Sequence, residues 1–326
     1  MRVGFCCKYI GDDECNMRST TVAWLNRQTP RDAEIRMRDI MHHNIAAVKK
    51  LITNVGSGPT ITRMVRLGSD ILPMYTHEVW SNFWQKPDIQ IALQDEFASI
   101  GQLARDLDVR ISFHPGQFTV LASDKPDVVE RSITEFEYHC DMIRWMGYGQ
   151  KFQDFKCNVH ISGAQGAQGI IDVLPRLSTE ARNVITIEND EISWGLDESL
   201  KLVEHCALVL DIHHHWVKDA EFIQPDDARA QMVIDSWRGE RPAIHFSSPK
   251  EDILNNYDQH TLPDHAQLIA DGYHRMAMRP HSNYYTNSAL VSWAGSFLPQ
   301  FDIQTESKAK NLSRDAFLRD LGLLDD

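Results

Sequence analysis

The stretch VITIENDEISWGLDESLKLVEHCALVLDIHHH, residues 184–215, decides the fold. It opens and closes on short apolar runs, 184–188 and 208–211, rich in β-branched or aliphatic residues and too short for stable helices. Between them, residues 196–205 carry helical spacing. Two strands separated by a helix pair in parallel, through a right-handed crossover. Each run ends on an acid, Glu188 in the first and Asp211 in the second.

The same unit recurs outward. Apolar runs stand at 2–5, 62–67, 110–113 and 157–160 upstream, and at 243–246 and 302–306 downstream. Helical spacing follows at 32–55, 91–108, 126–146, 228–237, 286–297 and 313–321. In the first of these, Ile35, Ile40, Ile45, Val48, Leu51 and Ile52 fall near one face. Asp124 reads as the N-cap ahead of Pro126, and Ser313 as the N-cap of the last helix. Eight strands alternating with helices favour closure into a (β/α)8 TIM barrel over an open sheet.

A chain of 326 residues suits one such domain over 1–326, since the fold needs ~250. The polar stretch 248–285 reads as a long excursion before the last helix and strand. No apolar run approaches the ~18 residues of a membrane span, and the N-terminus lacks a charged-then-apolar signal. A soluble, cytoplasmic protein is expected, with no membrane contact and no obligate protein partner implied. The six cysteines form no CxxC pair, so reduced thiols are the default and zinc-finger readings fail. A net charge of −13 argues against nonspecific coating of nucleic acid. Residues 1–66, however, hold eleven Lys/Arg against six Asp/Glu, a stretch able to meet phosphates.

The chemistry sits where the strands end. His114, His160, Glu188, Asp211, His245 and Glu306 each lie at or beside the end of one of six consecutive strands. In a barrel those ends converge on one face, where active sites are built. Imidazoles and carboxylates are ligands for divalent manganese or zinc. Burying so many together without cations would cost at least several kcal/mol for each unpaired charge. Of His213, His214 and His215, which follow Asp211, not every one can ligate. Alternation sends Asn158 and His160 to the same side of their strand. In His114-Pro115-Gly116-Gln117-Phe118 a rigid turn offers one polar and one aromatic side chain at the mouth. Two activities fit a divalent cluster on this fold: a nuclease, or a sugar isomerase or epimerase of the xylose-isomerase-like class.

HPGQF at 114–118, NVHISG at 158–163, ENDE at 188–191, LDIHHH at 210–215 and HFSSPK at 245–250 occur in order. With them the chain resembles the UV damage endonuclease family, from Gly4-Phe5 to Lys310. The resemblance implies an endonuclease IV-like barrel and a cluster of two or three divalent ions, manganese first, zinc or magnesium as alternatives. His114, His160 and Glu188 would hold the first ion and carry the catalysis. Glu188 would bridge to a second ion shared with Asp211, His245 and Glu306. His214 would take a third with His281, chosen over His260, His265 and His274 for its place just before the helix that leads into the last strand. Asp70, Asn158 and Lys308 would support these ligands from behind. Where relatives can carry a carboxylated lysine that ligates, this chain has Ala243, so about two tightly held ions are expected. The substrate implied is damaged double-stranded DNA, cut immediately 5′ of ultraviolet photoproducts. Gln117 and Phe118 would wedge into the duplex, and Phe5 would line the pocket for the flipped lesion.

Overall fold

Alternation along a short strand sends one set of side chains inward and the other toward the helices. The computed structural model, which describes residues 1–325, resolves that choice for every strand. The strands are β1 (Val3–Cys6), β2 (Met64–Arg66), β3 (Arg110–Phe113), β4 (Lys156–His160), β5 (Ile185–Glu188), β6 (Ala207–Asp211), β7 (Ala243–Phe246) and β8 (Asp302–Thr305). All pair in parallel, in chain order, and β1 meets β8 through Val3↔Ile303 and Gly4↔Gln304 to close the barrel. Gly4 lets β1 lie close against β2, because a Cβ there would stand 2.7 Å from Met64 Cγ and 2.9 Å from the Met64 carbonyl oxygen. The TIM barrel expected from the sequence is therefore the fold.

The helices are α1 (Pro30–Gly56), α2 (Pro87–Asp106), α3 (Pro126–Trp145), α4 (Gly166–Val173), α5 (Ile212–Asp219), α6 (Ala228–Ser236), α7 (Ser288–Gly295) and α8 (Lys310–Asp320), with shorter turns between. Outward residues such as Phe113, Val159, Ile187, Leu210 and Phe246 are buried under them in one continuous apolar core. α1 begins with Pro30 in its first turn and Thr29 Oγ1 accepting from Asp32 N at 3.2 Å. None of the described helices is long and apolar enough to cross a membrane.

Several local expectations shift. Lys125, not Asp124, caps α3, and makes no side-chain capping bond. Ser313 is buried inside α8, whose cap is Ala309. Ile35 is exposed, one step off the buried face of α1. The helix expected at 196–205 shortens to Leu196–Ser199 and a 3-10 turn at Leu200–Leu202. The three histidines lie in α5, whose N-cap Asp211 accepts from His214 N at 2.7 Å. The excursion at 248–285 holds three short helices, Glu251–Leu254, His265–Ala270 and Arg275–Met278.

At the N-terminal ends of the strands the barrel is sealed by charge. Asp302 accepts from Arg110 Nη1 at 2.7 Å, from Arg241 Nε at 2.8 Å and from the Arg2 backbone N–H at 2.8 Å. Burial alone would raise the Asp302 carboxyl, but the two guanidiniums hold it below its ordinary value.

Candidate metal centre

The C-terminal strand ends bring the six strand-end residues together. Glu188, on β5, lies at the centre and is 1% exposed. Its Oε1 accepts from His245 Nδ1 at 3.0 Å, and its Oε2 stands 3.3 Å from His114 Nε2 and 3.8 Å from His160 Nε2. Asn158, one turn of the β4 alternation below His160, donates to Oε2 and accepts from Thr186 Oγ1 at 2.8 Å. Asp211 is fully buried; one oxygen caps α5 and the other, Oδ2, has no hydrogen-bond partner among the described residues. Glu306 follows β8, 3.4 Å from His245 Nδ1, and is paired with Arg66 of β2.

Among the described residues, four sets of three side chains bring potential ligand atoms within 4.8 Å of one another. They are His114–Glu188–His245, Glu188–Asp211–His214, Asp211–His245–Glu306 and His160–Glu191–His214. Charge explains why such a gathering calls for cations. Burial alone would raise Glu188 and Glu306, but His245 with His160, and Arg66 with His245, hold them well below the ordinary carboxylate range. Asp211 moves the other way: burial, reinforced by Glu188 and Glu306, pushes it well above its ordinary value. Asp211 Oδ2, without a hydrogen-bond partner and 3.6 Å from His214 Nδ1, is an oxygen placed for a cation, and the residues present fit a divalent site.

The imidazoles are oriented from behind, as ligating histidines are. His114 Nδ1 donates to the Pro115 carbonyl at 2.9 Å, His160 Nδ1 to Asp190 Oδ2 at 3.2 Å and His214 Nδ1 to the Asn189 carbonyl at 3.0 Å. In each ring Nε2 is left facing a carboxylate of the cluster, Glu188 for His114 and His160 and Glu191 for His214. Burial lowers the His114 imidazolium. Burial would lower His214 too, but Asp211, Glu188 and Glu191 push it up to about 10.

Other expected positions fall elsewhere. His281 donates from Nδ1 to the Glu306 carbonyl at 2.9 Å and stands edge-on to His213, outside all four ligand sets. His213 stacks on Trp216, and His215 pairs with Glu221 and Asp219, both at 3.1 Å. Asp70 and Lys308 are exposed and belong to none of these sets. Phe5 does not line the mouth. It is fully buried on the helix side of β1, against Tyr9 and under the Arg314 guanidinium at 5.2 Å. The inward residues of β1 are Gly4 and Cys6, so the alternation is one residue out of phase with a lesion-pocket role.

Gln117 and Phe118 lie at the exposed tip of the loop after β3, Phe118 at 86% exposure. A cavity of about 280 Å³ opens beside them, bordered by His160, Glu191, Ile192 and Arg279. Ile192, half exposed, and Arg279 were not singled out by sequence, because a lone isoleucine and a lone arginine carry no spacing signal. Lys156 was also missed. From β4 it donates to His245 Nε2 at 2.8 Å across the barrel, placing a buried amine in the floor of the site. Burial pushes it down to about 8. Two signals could have found it: its inward phase with Asn158 and His160, and the rarity of a buried lysine.

Comparison with known proteins follows the geometry. Residues 1–321 match the family model described as UV-endonuclease UvdE. The UV DNA damage endonuclease of Bacillus velezensis is 32% identical over 198 residues, covering 58% of this chain and 59% of that protein. That of Bacillus cereus strain Q1 is 24% identical over 339 residues, covering 98% of this chain and 94% of the relative. The crystal structure of SacUVDE superposes with a TM-score of 0.74 at 21% identity, over 99% of this chain and 100% of that one. At that identity the structural likeness speaks for the fold.

Proposed function

This chain belongs to the UV-endonuclease UvdE family, and from that premise we propose that it hydrolyses the phosphodiester immediately 5′ of ultraviolet photoproducts in double-stranded DNA. Membership makes it a nuclease of DNA repair rather than a sugar isomerase. Cyclobutane dimers, 6-4 photoproducts and abasic sites are the proposed lesions, with a 3′-hydroxyl and a 5′-phosphate as products. The observation that carries the reading is the convergence of Glu188, Asp211 and Glu306 with His114, His160 and His245 at one mouth of the barrel.

Two or three divalent ions, manganese first and zinc or magnesium as alternatives, are the proposed cofactor. When bound they would offset the phosphate charge, supply a nucleophile near neutral pH and stabilise the departing 3′-oxygen. Glu188 is the proposed bridging carboxylate, since its two oxygens face different neighbours, His245 on one side and His114 on the other. Asp211, His214, His245, His281 and Glu306 are the further ligands implied by family resemblance. Of these, His281 has the weakest geometric support. Asn158 holds the Glu188 carboxylate in plane from within the barrel. Burial of the cluster keeps bulk water from competing with the phosphate for these groups.

Gln117 and Phe118 are proposed to enter the duplex at the lesion. A damaged step is already poorly stacked, so its opening demands less free energy than that of intact DNA. An aromatic ring offered to solvent at 86% exposure is otherwise unfavourable, and filling the vacated stack would bury it. Recognition by deformability would accept chemically different lesions. The test is incubation with irradiated and intact supercoiled plasmid and Mn²⁺. Nicking confined to irradiated plasmid and abolished by EDTA is expected; equal nicking of both plasmids, or none, refutes the reading.

A further inference from the structure

We propose that the loop after β1 and the N-terminal half of α1 form a basic arm beside the mouth, which grips the phosphate backbone of the duplex flanking the lesion. The inference rests on the reading that this mouth cuts DNA, and it adds a docking surface to that reading.

The tertiary structure sorts the eleven cations of residues 1–66. Arg2 and Arg63 lie at the N-terminal end of the barrel, tied to Asp108 and to the Gly58 and Leu107 carbonyls. Arg38, Lys49, Lys50 and Arg66 are taken up by Asp88, by Glu96, by Asp12 with Glu14, and by Glu306. Among the described residues no carboxylate pairs with the other five, Lys8, Arg18, Arg27, Arg31 and Arg36, and all but the half-buried Arg36 are exposed. All five fall between the end of β1 and the second turn of α1. Half of the acids in residues 8–43 are already answered, Asp12 and Glu14 by Lys50 and Glu34 by Lys86. Asp13, Asp32 and Asp39 are left, the first two bonded to Asn16 Nδ2 at 3.0 Å and Thr29 Oγ1 at 2.7 Å. In a chain of net charge −13, a surplus of uncompensated cations gathered in one stretch selects a polyanion.

Helix length carries this charge beyond the barrel. Gly56, at the end of α1, packs on Leu107 at the foot of β3. Asn44, fully buried, marks the rim instead: it accepts from Arg18 N at 2.7 Å and donates to the Arg18 and Ile71 carbonyls, both at 2.9 Å. Ile71 lies two residues after Ser69, whose hydroxyl donates to the His114 carbonyl at 2.8 Å, so this is the level of the metal-capable strand ends. Residues 30–43 lie past that level, and at about 1.5 Å per residue they carry α1 about 20 Å beyond it. The arm is braced along its length. Arg36 lies over the Trp24 ring at 5.9 Å, Trp80 Nε1 donates to Asn26 Oδ1 at 3.2 Å, and His43 Nε2 donates to the Asn16 carbonyl at 2.9 Å. Phosphates recur about every 3.4 Å along one strand, so an arm of about 20 Å runs beside about six nucleotides. Phosphate contacts fix position without reading sequence. Recognition by deformability needs such a grip, which holds the intact flank while the damaged step opens.

The test is the salt dependence of DNA binding by the full chain. Fluorescence anisotropy follows a labelled intact duplex of about 30 base pairs in KCl from about 50 to about 200 mM, a range over which counterion release is read. Each phosphate contact contributes about 0.9 to the slope of log affinity against log salt, so Arg18→Gln, Arg27→Gln and Arg31→Gln combined are expected to lower it by about 2.7. Lys151→Gln removes an exposed charge ahead of β4, at the opposite end of the barrel, and is expected to keep the parent slope. A fall of less than about 0.9 in the triple variant, under one contact, refutes the arm. So does an equal fall per charge in Lys151→Gln, which would make the effect one of net charge. Should the triple variant lose its folded circular-dichroism signature, Arg27→Gln decides alone, with an expected fall of about 0.9. Nicking of irradiated plasmid by the parent with Mn²⁺ is measured in parallel. Its absence, with an arginine-dependent slope present, refutes the proposed function and leaves the arm standing. Nicking with a slope the arginines do not change refutes the arm only.

Discussion

Replacing Glu188 by glutamine removes one charge from the centre of the cluster and almost nothing from its shape. The carboxylate lies 3.0 Å from His245 Nδ1 and 3.3 Å from His114 Nε2, at 1% exposure. At about 4 Å and an effective dielectric of about 20, a unit charge acting on a unit charge is worth about 4 kcal/mol. At about 1.4 kcal/mol per tenfold, that is nearly three powers of ten in ion affinity, and more for a divalent ion. Conversion of irradiated supercoiled plasmid to the relaxed form, at a fixed 1:1 ratio of Mn²⁺ to ligand sites, is therefore expected to slow by at least ~10²-fold. The apo-protein melt gives the second arm. Because His245 and His160 hold the buried Glu188 carboxyl well below its ordinary value, the stripped variant is expected to be less stable than the parent at neutral pH, the difference closing in acid. Nicking within tenfold of the parent would falsify the bridging role. Loss of nicking together with loss of the folded circular-dichroism signature would mean that Glu188 acts through the fold instead.

Phe118→Ala is expected to cut the preference for irradiated over intact plasmid at least ~10-fold, the scale of a lost base–aromatic stack, with metal content unchanged; an unaltered preference removes the wedge. Asp302→Asn strands Arg110 and Arg241 and is expected to cost about 3 kcal/mol in urea unfolding. Because the folded Asp302 carboxyl is depressed, its stabilisation is present above the ordinary carboxylate value and is lost as pH falls through the depressed one. The gap between parent and variant is thus expected to close in acid, and a gap constant down to acid pH contradicts the assignment. Mn²⁺ at about 100 times its Kd is expected to stabilise the stripped protein by about 2.7 kcal/mol near pH 8. The gain falls as pH falls, because His214, pushed up to about 10 by Asp211, Glu188 and Glu191, must first shed its proton. Melting curves identical with and without Mn²⁺ at pH 8 rule out a tightly held ion.

The strand positions were legible because eight short apolar runs recur between helical segments, and because a metal-capable residue marks six of their ends. Boundaries moved by one or two residues, as at β1 and β2, where strand and turn share the same apolar composition. The phase of β1 was not legible. A four-residue strand buried on both faces reads the same whichever set points inward, and Phe5 was placed at the mouth although it packs under α8. Cross-barrel partners were hidden for another reason. Lys156 meets His245 across 89 positions and Arg279 meets Glu191 across 88, and no local spacing reports such pairs.

By itself, then, the order of residues determined a closed parallel barrel, the metal-capable residues at its strand ends and the exposed Gln117-Phe118 turn. Local periodicity and residue chemistry suffice for each of these. Tertiary structure alone decided which nitrogen of each imidazole is free, that His214 turns toward Glu191 rather than His281, and that Asp211 caps a helix. Those outcomes depend on the stagger of eight strands around a ring and on which backbone carbonyl each ring meets, quantities set only once the barrel has closed.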